Sequence, residues 1–132
     1  MMTSSDLLSY GFVSWYPFTL DNEKTLLKLL PARPGVYAMR CRKPSDIAGS
    51  SDIVYFGKAA NQAGLKQRIR QYYHPGNANR TSLRIRALLT DCADFEISVV
   101  ETAVDAARHL ESKLIGKYKA AHKNRPPWNK CD

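Results

Sequence analysis

Two short β-favouring segments with one polar loop between them constrain the fold of this chain more than any other feature of its sequence. The first, Gly35–Cys41, reads GVYAMRC, and the second, residues 52–57, reads DIVYFG. Residues 43–51 between them are rich in proline, serine, glycine and aspartate, which is the composition of a loop. Because consecutive strands joined by a short loop pair antiparallel, the sequence predicts an antiparallel strand pair here.

The segments that follow alternate between helical and strand patterns. Residues 61–73 place apolar or aromatic side chains on one helical face: Leu65, Ile69, Tyr72 and Tyr73. Further helices are predicted over residues 80–90 and about 103–121, and the alternating apolar residues of 95–100 predict a third strand. The order strand-strand-helix-helix-strand-helix predicts an α+β fold with a small, mostly antiparallel three-stranded sheet flanked by helices.

The length of 132 residues fits a single domain over 1–132. Within it, residues 1–33 form a lead-in segment with one short helical stretch, and residues 34–129 form the core that carries the sequence motifs. No apolar run reaches the ~20 residues that cross a bilayer, so no membrane contact is expected. No signal peptide is visible and the three cysteines fit reduced thiols, so we predict a cytoplasmic location.

The charge of the chain indicates a polyanionic partner. Lysine and arginine number 20 and aspartate and glutamate 12, giving a net charge of +8. Residues 53–90 hold seven basic side chains and no acidic one, and residues 108–130 hold seven more with Glu111 as the lone acid. Such a surface is typical of contacts to the DNA backbone. The candidate contacts from the first block are Lys66, Arg70, Arg80, Arg84 and Arg86.

The last predicted helix carries a carboxylate on its apolar face. At about 100° per residue, with Leu110 at zero, the apolar side chains lie between about 20° and 140° and Glu111 lies at about 100°. A buried carboxylate without a partner is costly, so Glu111 must be paired, protonated or bound to a metal. The pattern leaves two interpretations open: a buried salt bridge to an arginine of the basic block, or a divalent cation whose coordination a nucleic-acid phosphate completes.

Five segments, in order, resemble the motifs of the GIY-YIG nuclease superfamily, and within it the incision domains of bacterial nucleotide-excision repair nucleases. They cover nearly the whole chain: GVY at 35–37, VYFGKA at 54–59, LKQRIRQY at 65–72, LESKLIGKY at 110–118 and PWN at 127–129. Each segment alone is common, but five in the family's order are specific. The resemblance implies the family's fold and a metal-dependent endonuclease that hydrolyses phosphodiester bonds in DNA.

The resemblance also implies roles for individual side chains. Glu111 would be the ligand of one divalent cation, Mg²⁺ or Mn²⁺, which take one or two protein carboxylates and keep several waters. Arg68 would clamp a phosphate oxygen, although Arg70 is an alternative for this position. Asn129 of the terminal motif is placed among the nucleic-acid contacts.

The general base stays open between two side chains. Tyr37 is the base that the resemblance implies, with Tyr55 orienting it and Lys58 stabilising negative charge. An unperturbed tyrosine, with a pKa of ~10, is a poor base at neutral pH and would need a nearby cation. His74 is the alternative base, since its ordinary pKa suits the task better.

A second function class competes with the nuclease. The same fold could serve as a non-catalytic basic nucleic-acid-binding module, which the net charge alone would support. That alternative predicts salt-dependent, metal-independent binding and a Glu111 paired to an arginine. In either case the chain shows no separate DNA-reading domain, so a homodimer or a partner protein is expected to select the target.

Overall fold

The computed structural model describes residues 2–41, 51–75, 80–91 and 94–129, and in the helix over 80–91 it describes the side chains of 83–87 and 89. The predicted loop over 43–51 therefore lies, except for Ser51, outside the described residues. Within these ranges the chain forms four strands and four α-helices. In chain order they are β1 (Tyr16–Pro17), α1 (Glu23–Leu29), β2 (Gly35–Cys41), β3 (Ile53–Ala59), α2 (Gly64–Tyr73), α3 (Arg80–Asp91), β4 (Phe95–Glu101) and α4 (Val104–His122).

The strands form one antiparallel sheet in the order β1-β4-β2-β3. The predicted α+β fold and the predicted antiparallel pairing of β2 with β3 are confirmed. The predicted number of three strands is wrong, because β1 adds a fourth by pairing Tyr16 with Ile97 and Pro17 with Glu96. A two-residue strand leaves no alternating pattern in the sequence, and its proline is tolerated because β1 lies at a sheet edge.

Alternate side chains of β2 point to opposite faces of the sheet, and each face has its own apolar cluster. Tyr37 and Met39 face α2 and α3, whereas Val36 and Ala38 face α4. The first cluster includes Leu65 and Ile69 of α2 with Ile85 and Leu89 of α3. The second includes Ala107, Leu114, Ile115 and Tyr118 of α4. The sheet is therefore a central layer between two helical layers.

The lead-in segment packs on both faces of this sheet. A 3₁₀ helix over Ser4–Tyr10 precedes β1, and the buried side chains of the segment include Leu7, Phe12, Phe18 and Leu26. Leu7 and Phe12 join the α4 side, whereas Phe18 and Leu26 join the α2 side. The core thus extends beyond the motif-bearing region, because the short segments before β2 cover apolar surface that α2 and α4 leave open.

A polar network attaches the lead-in to the sheet. Arg40 of β2 holds Oε1 of Glu96 through Nε and Nη2, both at 2.9 Å, and its guanidinium lies 4.2 Å from the centre of the Trp15 ring. Nη1 of Arg40 also donates to the Ser4 hydroxyl at 3.0 Å, and that hydroxyl donates to Asp52. These contacts connect β2, β4 and the residue before β3 with the segment that precedes them.

Candidate active site

Three tyrosines from three elements meet on the α2 side of the sheet. Tyr37 of β2 is fully buried, and its ring stacks on that of Tyr55 of β3 with centroids 6.1 Å apart and an interplanar angle of 27°. Tyr72 of α2 presents its ring edge-on to Tyr37 at 6.0 Å, and the two hydroxyls are hydrogen-bonded. Sequence reasoning assigned Tyr72 no role in the site, although its position four residues after Arg68 places both on one helical face.

Gly57 provides the space that the Tyr37 ring occupies. The two residues are directly opposite each other in the β2–β3 register. A Cβ atom at position 57 would overlap the Cζ, hydroxyl and Cε2 atoms of the Tyr37 phenol. The glycine of the second motif is therefore a steric requirement for the tyrosine of the first motif.

Arg68 places its guanidinium against the tyrosine hydroxyls. Its Nε donates to the Tyr37 hydroxyl at 3.4 Å, and its Nη1 donates to Gln71 at 3.1 Å. The guanidinium carbon also lies 5.5 Å from the centre of the Tyr72 ring. Arg68 is the α2 arginine that the sequence aligned first with the family motif, and its fixed position beside a phenol suits a side chain that receives a phosphate.

The three phenols resist ionisation. Burial raises the pKa of Tyr37 above its ordinary value of 10.0, and proximity to Tyr55 raises it further, while Arg68 and the Tyr72 hydrogen bond act in the opposite direction with less effect. Burial likewise raises the pKa values of Tyr55 and Tyr72. At neutral pH all three are therefore neutral phenols.

Glu111 turns inward at the edge of the sheet, as its place in the apolar stripe predicts. Its residue is only 7% exposed, and its Oε1 lies 3.1 Å from Nζ of Lys58 on β3. The carboxylate is close enough to Tyr55 to raise the pKa of that phenol. The partner of Glu111 is thus a lysine of the neighbouring strand rather than an arginine, and the acid, the ammonium and the phenol cluster lie side by side.

The donor set around Glu111 fits a hard divalent cation with few protein ligands. Among the residues that the structure describes, no three His, Cys, Asp or Glu side chains gather at one place, which argues against a closed zinc-type site. A single buried carboxylate at the edge of the sheet fits Mg²⁺, because that ion keeps most of its waters and uses one or two carboxylates together with phosphate oxygens.

Comparison with known proteins places this arrangement in a family. A model of the UvrC-like GIY-YIG domain matches residues 33–129. The chain belongs to the UvrC-like GIY-YIG family. The predicted membership of the GIY-YIG superfamily is therefore confirmed.

Relatives of this UvrC-like GIY-YIG domain include proteins named UvrABC system protein C. The protein of Thermoanaerobacter sp. strain X514 is 40% identical over 93 residues, covering 70% of this chain and 13% of its own length. That of Alkaliphilus metalliredigens is 36% identical over 106 residues, covering 80% of this chain and 14% of its own length. The chain therefore spans only a small part of the length of these relatives.

A solved structure shares the fold over most of both chains. The GIY-YIG N-terminal endonuclease domain of UvrC from Thermotoga maritima, bound to its catalytic divalent cation, magnesium, is 25% identical to this chain. The match covers 83% of this chain and 97% of that one, with a TM-score of 0.53. A point mutant of the same domain gives a TM-score of 0.54 at 24% identity, which supports the fold.

The C-terminal motif of this UvrC-like GIY-YIG domain closes the outer edge of β3. The backbone N–H of Trp128 donates to the Val54 carbonyl at 2.9 Å. The side-chain amide of Asn129 accepts from the N–H of Phe56 at 3.0 Å and donates to the Phe56 carbonyl at 2.8 Å. Asn129 thus pairs with β3 as a neighbouring strand would, and holds the strand that carries Tyr55 and Lys58.

Arg84 of α3 connects this tail to the tyrosine cluster. Its Nη2 donates to the Trp128 carbonyl, and its Nε is buried without a hydrogen-bond partner among the described residues. The guanidinium is also close enough to Tyr55 to act against the rise in the pKa of that phenol. The basic block of the sequence predicts a DNA contact for Arg84, but the observed partner is the tail.

His74, Lys66 and Arg70 do not join the tyrosine cluster. His74 Nε2 lies 2.5 Å from Glu23 Oε2 of α1 in an exposed pair. Lys66 and Arg70 are each two residues from Arg68, which at about 100° per residue turns them to the opposite face of α2. Arg86 acts on the pKa of Tyr73, and the side chain of Arg80 lies outside the described residues.

Proposed function

We propose that this chain is a metal-dependent endonuclease domain that hydrolyses phosphodiester bonds in DNA, with one catalytic site. The observation that carries the proposal is the juxtaposition of the inward-turned Glu111 and Lys58 with Tyr55, in the same cluster as Tyr37 and Arg68. Membership of the UvrC-like GIY-YIG family supports it, since a solved domain of this fold is an endonuclease with a catalytic magnesium ion.

Glu111 is the residue we assign to the divalent cation, with Mg²⁺ as the expected ion and Mn²⁺ as an alternative. When bound, such an ion supplies positive charge to the scissile phosphate and polarises a water molecule. Among the described residues no group of three His, Cys, Asp or Glu side chains gathers around Glu111, so most of the coordination is left to water and to the phosphate. The coordination of the cation would therefore be complete only when the substrate phosphate is bound.

The remaining side chains divide the work of hydrolysis. Water attacks phosphorus, the bond to the leaving oxygen breaks, and that oxygen takes up a proton. Arg68 would neutralise a non-bridging oxygen, and Lys58 would balance charge on the other side of the cluster. Tyr37 would first lose its own hydroxyl proton to solvent under the positive charge of the bound cation, and its phenolate oxygen would then accept the proton of the attacking water, with Tyr55 and Tyr72 orienting it. The exposed pairing of His74 with Glu23 favours Tyr37 over His74 as this base.

Cleavage of supercoiled plasmid tests the proposal. Wild-type protein with Mg²⁺ should convert the plasmid to the nicked form, and Glu111→Gln and Arg68→Ala should each lose roughly 10²–10³-fold in rate, as removal of a group that stabilises transition-state charge does. Glu101→Gln is the matched control, because Glu101 pairs with Arg33 at 3.8 Å on the exposed surface, outside the candidate site. Equal cleavage by Glu111→Gln and Glu101→Gln would contradict the proposal.

A non-catalytic nucleic-acid-binding module is the second candidate. The Lys58–Glu111 pair favours it, because a carboxylate that already has an ammonium partner needs no metal. This alternative predicts DNA binding that EDTA leaves unchanged and no cleavage with either Mg²⁺ or Mn²⁺. Cleavage by the wild type that Glu111→Gln abolishes would exclude it.

The wider setting of the domain is also a proposal. We propose that residues 1–132 act as one domain at a cytoplasmic location, and that a second copy or a partner protein selects the DNA target. The proposed partner is supported by the relatives, which are named as proteins of a UvrABC system and of which the chain corresponds to 13% of the length. No described helix is long and apolar enough to cross a membrane.

A further inference from the structure

The guanidinium of Arg68 needs a fixed direction if it is to receive a phosphate. The helix α2 is held at its first turn, where the N–H of Leu65 donates to the Arg33 carbonyl at 2.8 Å. The N–H of Lys66 likewise donates to the Pro31 carbonyl at 3.1 Å. These bonds fix the backbone from which Arg68 projects, but they leave its long stem many rotamers to choose from. Only a contact made by the side chain itself can fix the guanidinium.

Gln71 supplies such a contact on the outer side of Arg68. At about 100° per residue, Gln71 lies about 60° from Arg68 in one direction around the helix, and Tyr72 lies about 40° away in the other. The buried residues Leu65 and Ile69 lie on the same side as Tyr72, at about 60° and 100°. Gln71 is half-buried and therefore lies at the rim of the tyrosine cluster, next to solvent.

The hydrogen bonds of Arg68 leave part of its guanidinium for a ligand. Nε donates to the Tyr37 hydroxyl at 3.4 Å, and Nη1 donates to Oε1 of Gln71 at 3.1 Å, which is the shorter contact. A guanidinium carries five N–H donors in one plane. The second hydrogen of Nη1 and both hydrogens of Nη2 make no hydrogen bond to a described residue. Two bonds to different elements thus fix the plane and leave adjacent donors to a phosphate.

We propose that Gln71 is a positioning residue for the phosphate clamp, and that its carboxamide oxygen holds the Arg68 guanidinium in the direction that a scissile phosphate needs. The identity of this ligand rests on the proposed function. Because Arg68 can only donate, the oxygen of the carboxamide must face it and the NH₂ group must face away. Gln71 carries no charge of its own, so its effect on catalysis passes through Arg68.

Gln71→Met removes the acceptor and keeps a side chain of similar length and helix propensity. Gln67→Met is the matched control, because Gln67 is the same residue type one turn earlier on α2 and is exposed. Both variants should keep the urea midpoint of the wild type, since the backbone bonds of Leu65 and Lys66 hold the first turn of α2 without either glutamine.

Side-chain ¹⁵N NMR of the free protein tests the contact without DNA or metal. The guanidinium signals of Arg68 are identified by their absence from Arg68→Ala. Rotation of this guanidinium should be slow in the wild type and in Gln67→Met, because Tyr37 and Gln71 hold two of its nitrogens. Gln71→Met should accelerate the rotation about fivefold, as expected for the loss of one hydrogen bond that water can partly replace.

Plasmid cleavage with Mg²⁺ tests the consequence for catalysis. Gln71→Met should lose about tenfold in kcat, less than Arg68→Ala, because the guanidinium remains but is less well oriented. Its affinity for a fluorescein-labelled duplex, measured by anisotropy in EDTA, should change less than about twofold, since the charge that attracts the DNA backbone is unaltered. A defect of folding would lower binding and cleavage together.

A double-mutant cycle separates positioning from direct contact with DNA. In the Arg68→Ala background, Gln71→Met should cause no further loss of cleavage, because its partner is already absent. A further loss there would overturn the proposal, as would equal cleavage by Gln71→Met and Gln67→Met or equal rotation of Arg68 in these two variants. If Gln71→Met releases the guanidinium but the wild type cleaves nothing with Mg²⁺ or Mn²⁺, the positioning contact stands and the proposed function fails.

Discussion

Replacement of Gly57 by alanine is the most direct test of how the two strand motifs depend on each other. Gly57 lies opposite Tyr37 in the β2–β3 ladder, and a methyl group there would overlap three atoms of the phenol ring. Tyr37 is fully buried between Tyr55, Tyr72 and Arg68, so its ring cannot move away from the added methyl group without displacing these neighbours. The variant must therefore shift either the ring or the strand.

Two opposing terms set the size of the effect. Alanine in place of glycine within a strand normally stabilises by about 0.5–1 kcal/mol, because glycine loses more conformational freedom on folding. Overpacking of a filled interior costs about 1–3 kcal/mol. Because the overlap involves ring atoms rather than the end of a flexible chain, we expect the second term to dominate. The free energy of unfolding should fall by about 1–2 kcal/mol.

Urea denaturation followed by circular dichroism measures this change, and Gly116 supplies the matched control. Gly116 lies on the exposed side of α4, and no atom lies within 4 Å of the position that its Cβ would take. Gly116→Ala should therefore raise the free energy of unfolding by about 1 kcal/mol, the usual difference between alanine and glycine in a helix. The same chemical change is expected to have opposite signs at the two positions.

A double-mutant cycle identifies the cause. Tyr37→Phe removes the hydroxyl, one of the three overlapping atoms, so Gly57→Ala should cost less in the Tyr37→Phe background than in the wild type. Additive effects, or a Gly57→Ala protein as stable as Gly116→Ala, would refute the steric argument.

Three further predictions follow from the site. Asn129→Leu removes both hydrogen bonds to the Phe56 backbone and should cost about 1–3 kcal/mol in urea denaturation; an unchanged midpoint would show that they add nothing. The pKa of Tyr37 is higher in the folded than in the unfolded chain, so above the ordinary value of 10.0 the unfolded chain loses this proton while the folded chain keeps it. The free energy of unfolding of the wild type should therefore fall relative to that of Tyr37→Phe only above about pH 10. A difference that is constant from pH 8 to 11 would contradict this. Lys58→Met removes the ammonium group that competes with a cation for Glu111, so the affinity for Mn²⁺, measured by electron paramagnetic resonance, should rise by about fivefold. A lower affinity would contradict this competition and would show that Lys58 stabilises the bound metal.

Local periodicity accounts for most of the fold that could be predicted. The helical pattern over 103–121 corresponds to α4 at Val104–His122, and the β-favouring segment Gly35–Cys41 is β2. The inward turn of Glu111 was also predictable, because a helix repeats its faces at a known angle and the neighbours of Glu111 are apolar. These features depend only on residues close together in the chain.

Features that depend on register or on distant segments were not predictable. Nothing near Glu111 in the chain identifies Lys58 as its partner, since that contact depends on how α4 lies across β3. Asn129 and Phe56 are 73 positions apart, and Asn129 binds the backbone of Phe56. The amino-acid composition does not indicate which backbone groups a side chain will bind. Charge counting likewise could not separate Arg84, which binds the tail, from an arginine that faces DNA.

The charges of the resting site indicate what Tyr37 would need in order to act as the proposed base. Lys58 is balanced by Glu111, and Arg68 lies against neutral phenols. A phosphodiester alone would bring negative charge beside Tyr37 and raise its pKa further, because a nearby anion disfavours the phenolate. Only additional positive charge at Glu111 reverses that effect, by favouring phenolate while the phosphate is bound. We infer that the buried, hydrogen-bonded arrangement of Tyr37, Tyr55 and Tyr72 keeps the base inactive in the free protein and makes proton transfer depend on the complete complex.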